Sequence, residues 1–150
     1  PEPMDEMLIL DEQKRKHPVD SLESVADGPA VLEMQSTIRE VYVDPAISDY
    51  IVRLVSATRS HPDVYLGASP RGSLALFRAS QAFAALTGRD YVIPDDIKAL
   101  AESALAHRVI LKTAASIRGV ESRSIISEML MSVPIQTPRP SAEAQGLRQA

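Results

Sequence analysis

Leu66-Gly67-Ala68-Ser69-Pro70-Arg71-Gly72-Ser73, followed by an apolar run through Leu74, Leu76, Phe77, Phe83 and Leu86, decides how the rest of this chain is read. Ser69 stands as a helix N-cap and Pro70 at the first helical position, where its missing N–H costs nothing. Arg71 then falls in the first turn, the end of the macrodipole that favours anions and disfavours a cation. A guanidinium beside the free N–H groups of a helix start is a donor set suited to a phosphate. The other readings of Arg71 are a side chain in solvent or one paired with a nearby carboxylate, and spacing alone weighs toward these.

Working outward, the helix opened by Pro70 runs apolar on almost every side to Thr87. Gly88 is placed to end it in the left-handed region. Downstream, Pro94 opens another helix with Asp95 and Asp96 in its first turn and Ile97, Leu100, Ala101, Ala104 and Leu105 along one face. Val109-Ile110-Leu111 reads as extended, and Glu121 to Ser132 as a last helix with a stripe of Ile125, Ile126, Met129, Leu130 and Val133. Upstream, Asp44-Pro45 starts a helix carrying Ile47, Ile51, Leu54 and Val55 and closed by Pro62. Val41-Tyr42-Val43 is a short extended run. A first helix is predicted from Pro3 to Lys16 and a short one from Ala30 to Arg39, with a loop over Val19 to Pro29 between them. Beyond Pro134 the prolines 138 and 140 and an almost apolar-free segment predict a disordered tail over residues 135–150.

Composition bounds the class. The 150 residues suffice for one domain with its own core, and aromatics make up only 4%, with no Trp, so the core is aliphatic and the fold class all-α. Cysteine is absent, which removes disulfides, thiol catalysis and Cys-ligated zinc. No apolar run has the length of a membrane span or a signal-peptide core, and a cytoplasmic location is expected. The net charge of −4 is uneven: residues 1–50 carry −8, and residues 51–100 and 101–150 carry +2 each. An acidic first third argues against a nucleic-acid binder, which needs a dense cationic face.

Chemical motifs are sparse. Gly67 to Gly72 has the G-x-x-x-x-G spacing of a phosphate loop, but Ser73-Leu74 stand where Lys-Ser/Thr are required, and Pro70 removes a cradling N–H. The chain alone should therefore not hydrolyse ATP. His17, His61 and His107 are far apart, so no metal site is expected. His17 and His61, each before a proline at a helix end, read as caps of helix carbonyls. Asp95 and Asp96 are adjacent on a helix and do not face each other, so they read as first-turn residues and not as an acid/base pair. Met4, Met7 and Leu8 form a stripe expected to be core. Arg78, two turns after Arg71, reads as a solvated arginine.

Gly67-Ala68-Ser69-Pro70-Arg71, the helix through Leu86, then Gly88-Arg89-Asp90-Tyr91-Val92-Ile93-Pro94-Asp95-Asp96 and Leu105-Ala106-His107-Arg108 together resemble the C-terminal lid of a MoxR-type AAA+ ATPase. The resemblance extends over residues 1–134 and implies an AAA+ lid-type bundle of about five or six helices. It implies that Arg71 is a sensor arginine reaching toward ATP phosphates and that Ser69, Pro70 and Arg71 form the lid's nucleotide-binding residues. The phosphate loop and the magnesium site then lie on a preceding α/β domain. It also implies a ring of subunits, usually a hexamer, chaperone-like activation or maturation of other complexes, and work beside a von Willebrand factor A domain protein. Met4, Met7 and Leu8 would border the adenine in such an enzyme. The rival expectation is an autonomous helical protein-interaction domain that binds no nucleotide.

Overall fold

A computed structural model describes residues 2–14 and 17–135. The tail expected over 135–150 lies outside the described residues except for Ile135. The chain divides into two compact units, Pro1–Gln35 and Ser36–Ala150.

The first unit holds helix α1 (Pro3–Glu12), a 3₁₀ turn (Pro18–Ser21) and most of α2 (Gly28–Arg39). Pro3 opens α1, and the Glu2 N–H donates to the Asp5 carboxylate at 3.2 Å, which satisfies one of the free donors of a helix start. The helix expected to reach Lys16 stops at Glu12, with Gln13 as its C-cap; residues 15 and 16 lie outside the described residues. α2 begins two residues before the expected Ala30, because the Asp27 carboxylate accepts the Ala30 N–H at 2.8 Å and so caps a helix that includes Gly28 and Pro29. Neither helix contains a buried residue, so Met4, Met7 and Leu8 are not core.

The second unit is built on α3 (Pro45–Ser60), α4 (Pro70–Leu86), α5 (Pro94–Leu105) and α7 (Ser122–Ser132). Asp44 caps α3 by accepting the Ala46 N–H at 2.8 Å. Ile47, Tyr50, Ile51, Leu54, Val55 and Thr58 of α3 are buried, at the spacing of one helix face. They meet Leu76 and Ala84 of α4, Ile97, Ala101 and Leu105 of α5, and Ile125, Ile126 and Met129 of α7 in one core. Burying each of these large aliphatic side chains stabilises the fold by about 1.5–3 kcal/mol. α4 packs against both α3 and α5, as a central helix should. It is not buried all round, however: Leu74 and Leu86 are exposed, and Ser80 and Gln81 are buried. Gln81 is inside because its amide donates to the Val41 carbonyl at 2.9 Å.

Three features depart from the sequence expectation. Val64–Leu66 forms a strand, β1, antiparallel to β2 (Ile110–Leu111). Thr113–Ile117 forms a seventh helix, α6, closed by Gly119 at φ +77°. The 3₁₀ turn at Pro18–Ser21 lies in the segment expected to be loop. The run Val41–Val43, expected to be extended, forms no strand: the chain bends at Val41, and Tyr42 makes an isolated parallel bridge to Tyr91. Gly88 ends α4 at φ +76° as anticipated, and the Arg89 N–H then donates to the Ala84 carbonyl at 2.9 Å.

Candidate functional site

β1 delivers the chain to the start of α4 through Gly67, Ala68 and Ser69. A Cβ on Gly67 would lie 2.7 Å from both Cα and N of Arg59, so only glycine lets this loop lie against the last turn of α3. The two peptide groups that flank Ala68 are each held by a side chain. The Ala68 N–H donates to Thr58 Oγ1 at 3.0 Å, and the Ala68 carbonyl accepts from Arg59 Nε at 2.8 Å. Thr58 Oγ1 also donates to the Val55 carbonyl at 2.6 Å.

Ser69 takes the N-cap position with extended backbone (φ −81°, ψ 172°), and Pro70 is the first helical residue. The expected hydroxyl cap is absent: Ser69 makes no side-chain cap bond, and the Gly72 N–H donates to the Ser69 carbonyl at 2.7 Å. With no acidic residue in its first turn, α4 has an uncapped positive end. Arg71 sits there exposed, with no hydrogen bond or ion pair to any described residue. Behind it, Gly72 is buried against Leu105, where an added Cβ would come to 3.1 Å of Cδ2.

Among the described arginines, the side chains of Arg39 and Arg78 are also exposed without a partner, and the others are engaged. Arg53 pairs with Asp49 at 2.7 Å, Arg89 with Asp96 at 2.7 Å, Arg118 with Asp63, and Arg123 with Glu102 at 3.4 Å. Arg59 spends its Nε on a carbonyl, as does Arg108, which donates to Ala104 at 3.0 Å. Arg78 is exposed, as expected of a solvated arginine.

The other sequence candidates resolve into structural roles. His17 Nδ1 accepts the Val19 N–H at 3.2 Å, and His61 Nδ1 accepts the Asp63 N–H at 3.1 Å. Both rings thus cap the turn that follows them and not the carbonyls of the helix before, which corrects the sequence reading. His61 Nε2 lies 3.3 Å from the Glu128 carboxylate and ties α3 to α7. Asp95 pairs with Lys98 at 2.9 Å, while Asp96 is buried and receives both Arg89 and the Ile93 N–H. Burial alone would raise the Asp96 pKa; the Arg89 hydrogen bond, the Ile93 N–H and the Arg89 charge outweigh it and lower it. Among the described residues no three His, Asp or Glu side chains gather as a metal site. No helix among them is long and apolar enough to cross a membrane.

A family model described as "AAA lid domain" matches residues 56–129, the segment from the last turn of α3 through most of α7. The chain is 42% identical over 135 residues to the uncharacterized protein YeaC of Bacillus subtilis, covering 90% of this chain and 42% of YeaC. It is 33% identical over 114 residues to the chaperone MoxR1 of Mycobacterium tuberculosis, covering 70% of this chain and 30% of MoxR1. To the protein MoxR of Methylorubrum extorquens it is 33% identical over 152 residues, covering 89% and 43%. A crystal structure of a candidate ATPase from Cytophaga hutchinsonii superposes with a TM-score of 0.79 at 30% identity, over 89% of this chain and 42% of that one. The chain carries a MoxR-type AAA lid domain. It spans less than half the length of each of these relatives. The loop and helix start described above, Gly67 to Arg71, fall inside the matched lid segment.

Sequence reasoning singled out Arg71 and missed the bonds that fix Ala68, three residues before it. Thr58 and Arg59 are ordinary helix residues by pattern, and their bonds to Ala68 span only ten and nine positions, too irregular for any periodic signal. The one available sign was Gly67, a glycine before a helix start with no turn that needs it.

Proposed function

We propose that this lid belongs to a MoxR-type AAA+ ATPase and that Arg71 is its sensor for nucleotide phosphates. The reading rests on one observation: an exposed arginine with no partner among the described residues, at an uncapped helix start, just after a residue, Ala68, whose N–H and carbonyl are both bonded by α3. A triphosphate fits that donor set. The Arg71 guanidinium offers a fork to phosphate oxygens, the Arg71 N–H and Ser69 hydroxyl are free to donate, and Pro70 fixes φ without contributing a donor. Among the described residues no cluster of three His, Asp or Glu could hold magnesium, and in this proposal it is held, with the phosphate loop, by a preceding AAA+ α/β domain.

ATP supplies the phosphoryl bond whose cleavage provides the free energy. What the lid supplies is a cation on a packed element: α4 shares a core with α3 and α5, so a force on Arg71 is transmitted to the second unit through packed side chains. In the same proposal the subunits form a ring, in the hexameric form usual for such ATPases. ATP hydrolysis is coupled to chaperone-like activation or maturation of partner complexes, with a von Willebrand factor A domain protein as co-worker in the cytoplasm. The similarity to a protein named as a chaperone supports that part.

The test is Arg71→Ala in the full-length protein, with ATP turnover and nucleotide affinity measured together. Turnover should fall, by less than the roughly 10³ to 10⁵ that an arginine finger contributes, because a sensor also acts in the ground state. The melting temperature should not drop. Turnover equal to wild type ends the sensor assignment.

A further inference from the structure

The sensor proposal leaves open what orients Arg71, and the geometry around Ala68 answers it. Between the Ala68 peptide and the Arg71 Cα the chain has few free torsions, since the ring of Pro70 locks one of them. Whatever fixes Ala68 therefore fixes where α4 begins and from which point the Arg71 side chain leaves.

Ala68 is fully buried, and both its polar groups are taken by the last turn of α3. Thr58 is fully buried as well, and its hydroxyl is committed in both directions: its hydrogen goes to the Val55 carbonyl and its lone pair to the Ala68 N–H. Serine can perform both tasks. Valine, of nearly equal shape, can perform neither. Gly67 lies flat on the Arg59 backbone, and Gly72 is stopped by Leu105 on the far side of Arg71. Arg71 thus follows a glycine with no room for a side chain against the Arg59 backbone and precedes a buried glycine that faces the Leu105 side chain.

We propose that Thr58 and Arg59 are positioning residues for Arg71, acting on the nucleotide only through the Ala68 peptide. This rests on the sensor reading of Arg71, and the experiment separates the two. In the full-length ATPase, Thr58→Val, Thr58→Ser, Arg59→Ala, Arg71→Ala and the double variant Thr58→Val with Arg71→Ala are compared for kcat, KM and melting temperature.

Thr58→Val should lower kcat by about 3- to 100-fold, the range set by sub-ångström to 1 Å displacement of a reacting group. Thr58→Ser should restore most of it. On the Arg71→Ala background Thr58→Val should change kcat no further, because nothing is left to position; a purely structural loss would persist there. Arg59 is exposed at a helix end, so Arg59→Ala keeps the fold and repeats the pattern if the valine variant does not fold. Multiplicative losses in the double variant, or wild-type kcat in Thr58→Val and Arg59→Ala beside a slow Arg71→Ala, overturn the positioning role and leave the sensor standing. Wild-type kcat in Arg71→Ala overturns both.

Discussion

α4 and α5 start in the same way and end up as opposites. Each has an extended residue followed by proline at the first helical position, Ser69-Pro70 and Ile93-Pro94. At α5 the N-cap Ile93 has no polar side chain, but the first turn carries acids: Asp95 and Asp96 lie there, and the Asp96 carboxylate accepts the Ile93 N–H at 2.9 Å. That carboxylate, 3% exposed, also takes two bonds from Arg89, at 2.9 and 2.7 Å. At α4 the first turn carries a cation, the N-cap hydroxyl does not cap, and the arginine has no partner among the described residues. A start that serves stability alone fills its donors from within the chain. Under the proposed sensor role, the unfilled start of α4 is what a ligand from outside these residues would complete; α7, also uncapped and with Arg123 in its first turn, pairs that arginine with Glu102 instead.

The contrast breaks most readily at α5. Asp96→Ala removes the acceptor for Ile93 and strands Arg89, so the chain should lose about 2–4 kcal/mol in equilibrium denaturant unfolding, the scale of breaking a largely buried pair from one side. A loss under about 1 kcal/mol would mean that water replaces the carboxylate there and that α5 is not internally satisfied.

The same pair should show in the pH profile. Because the folded Asp96 pKa lies below its ordinary value, the group contributes stability that is complete above the ordinary carboxylate range and is lost as pH falls through the folded pKa. The stability gap between wild type and Asp96→Asn should therefore be widest near neutrality and close below about pH 4, where the unfolded carboxyl is itself protonated. A gap that holds constant to lower pH would show that shape, and not charge, holds Asp96.

At α4 the corresponding break lies in the loop. Gly67→Ala places a Cβ at 2.7 Å from two backbone atoms of Arg59, which cannot move without disturbing the end of α3. The expected cost is about 1–3 kcal/mol, typical of overpacking. ATP turnover in the full-length protein should fall with it as the start of α4 is displaced. Unchanged melting temperature and turnover would mean that the loop yields freely and does not hold Arg71.

How much of this was legible follows from which interactions leave a period in the sequence. The stripes of α3, α5 and α7 repeat every three to four residues, prolines open α3, α4 and α5, and Gly88 closes α4, so the bundle could be read directly. α6 is five residues long, shorter than the window in which a period can be counted, and β1 meets β2 across more than forty residues. The histidine caps came out reversed because position beside a proline says that a ring caps something, not which side it turns to. Arg71 was legible as an exception to the dipole rule, and Asp96 was underrated because its partner lies seven residues away, off any single helix face.

The smallest effect bears most directly on what distinguishes the two starts. If α4 carries Arg71 at a cost to its own stability, then Arg71→Ala should leave the chain slightly more stable, by about 0.3–1 kcal/mol at low salt. Arg71→Glu should gain more, as an acid in the first turn completes what α5 already has. Added salt should shrink both gains, since the interaction with the helix end is screened within a Debye length. A destabilised Arg71→Ala would instead show that the guanidinium is engaged within the folded chain. The two helix starts would then differ in sequence but not in kind, and the reason for reserving Arg71 for a ligand would be gone.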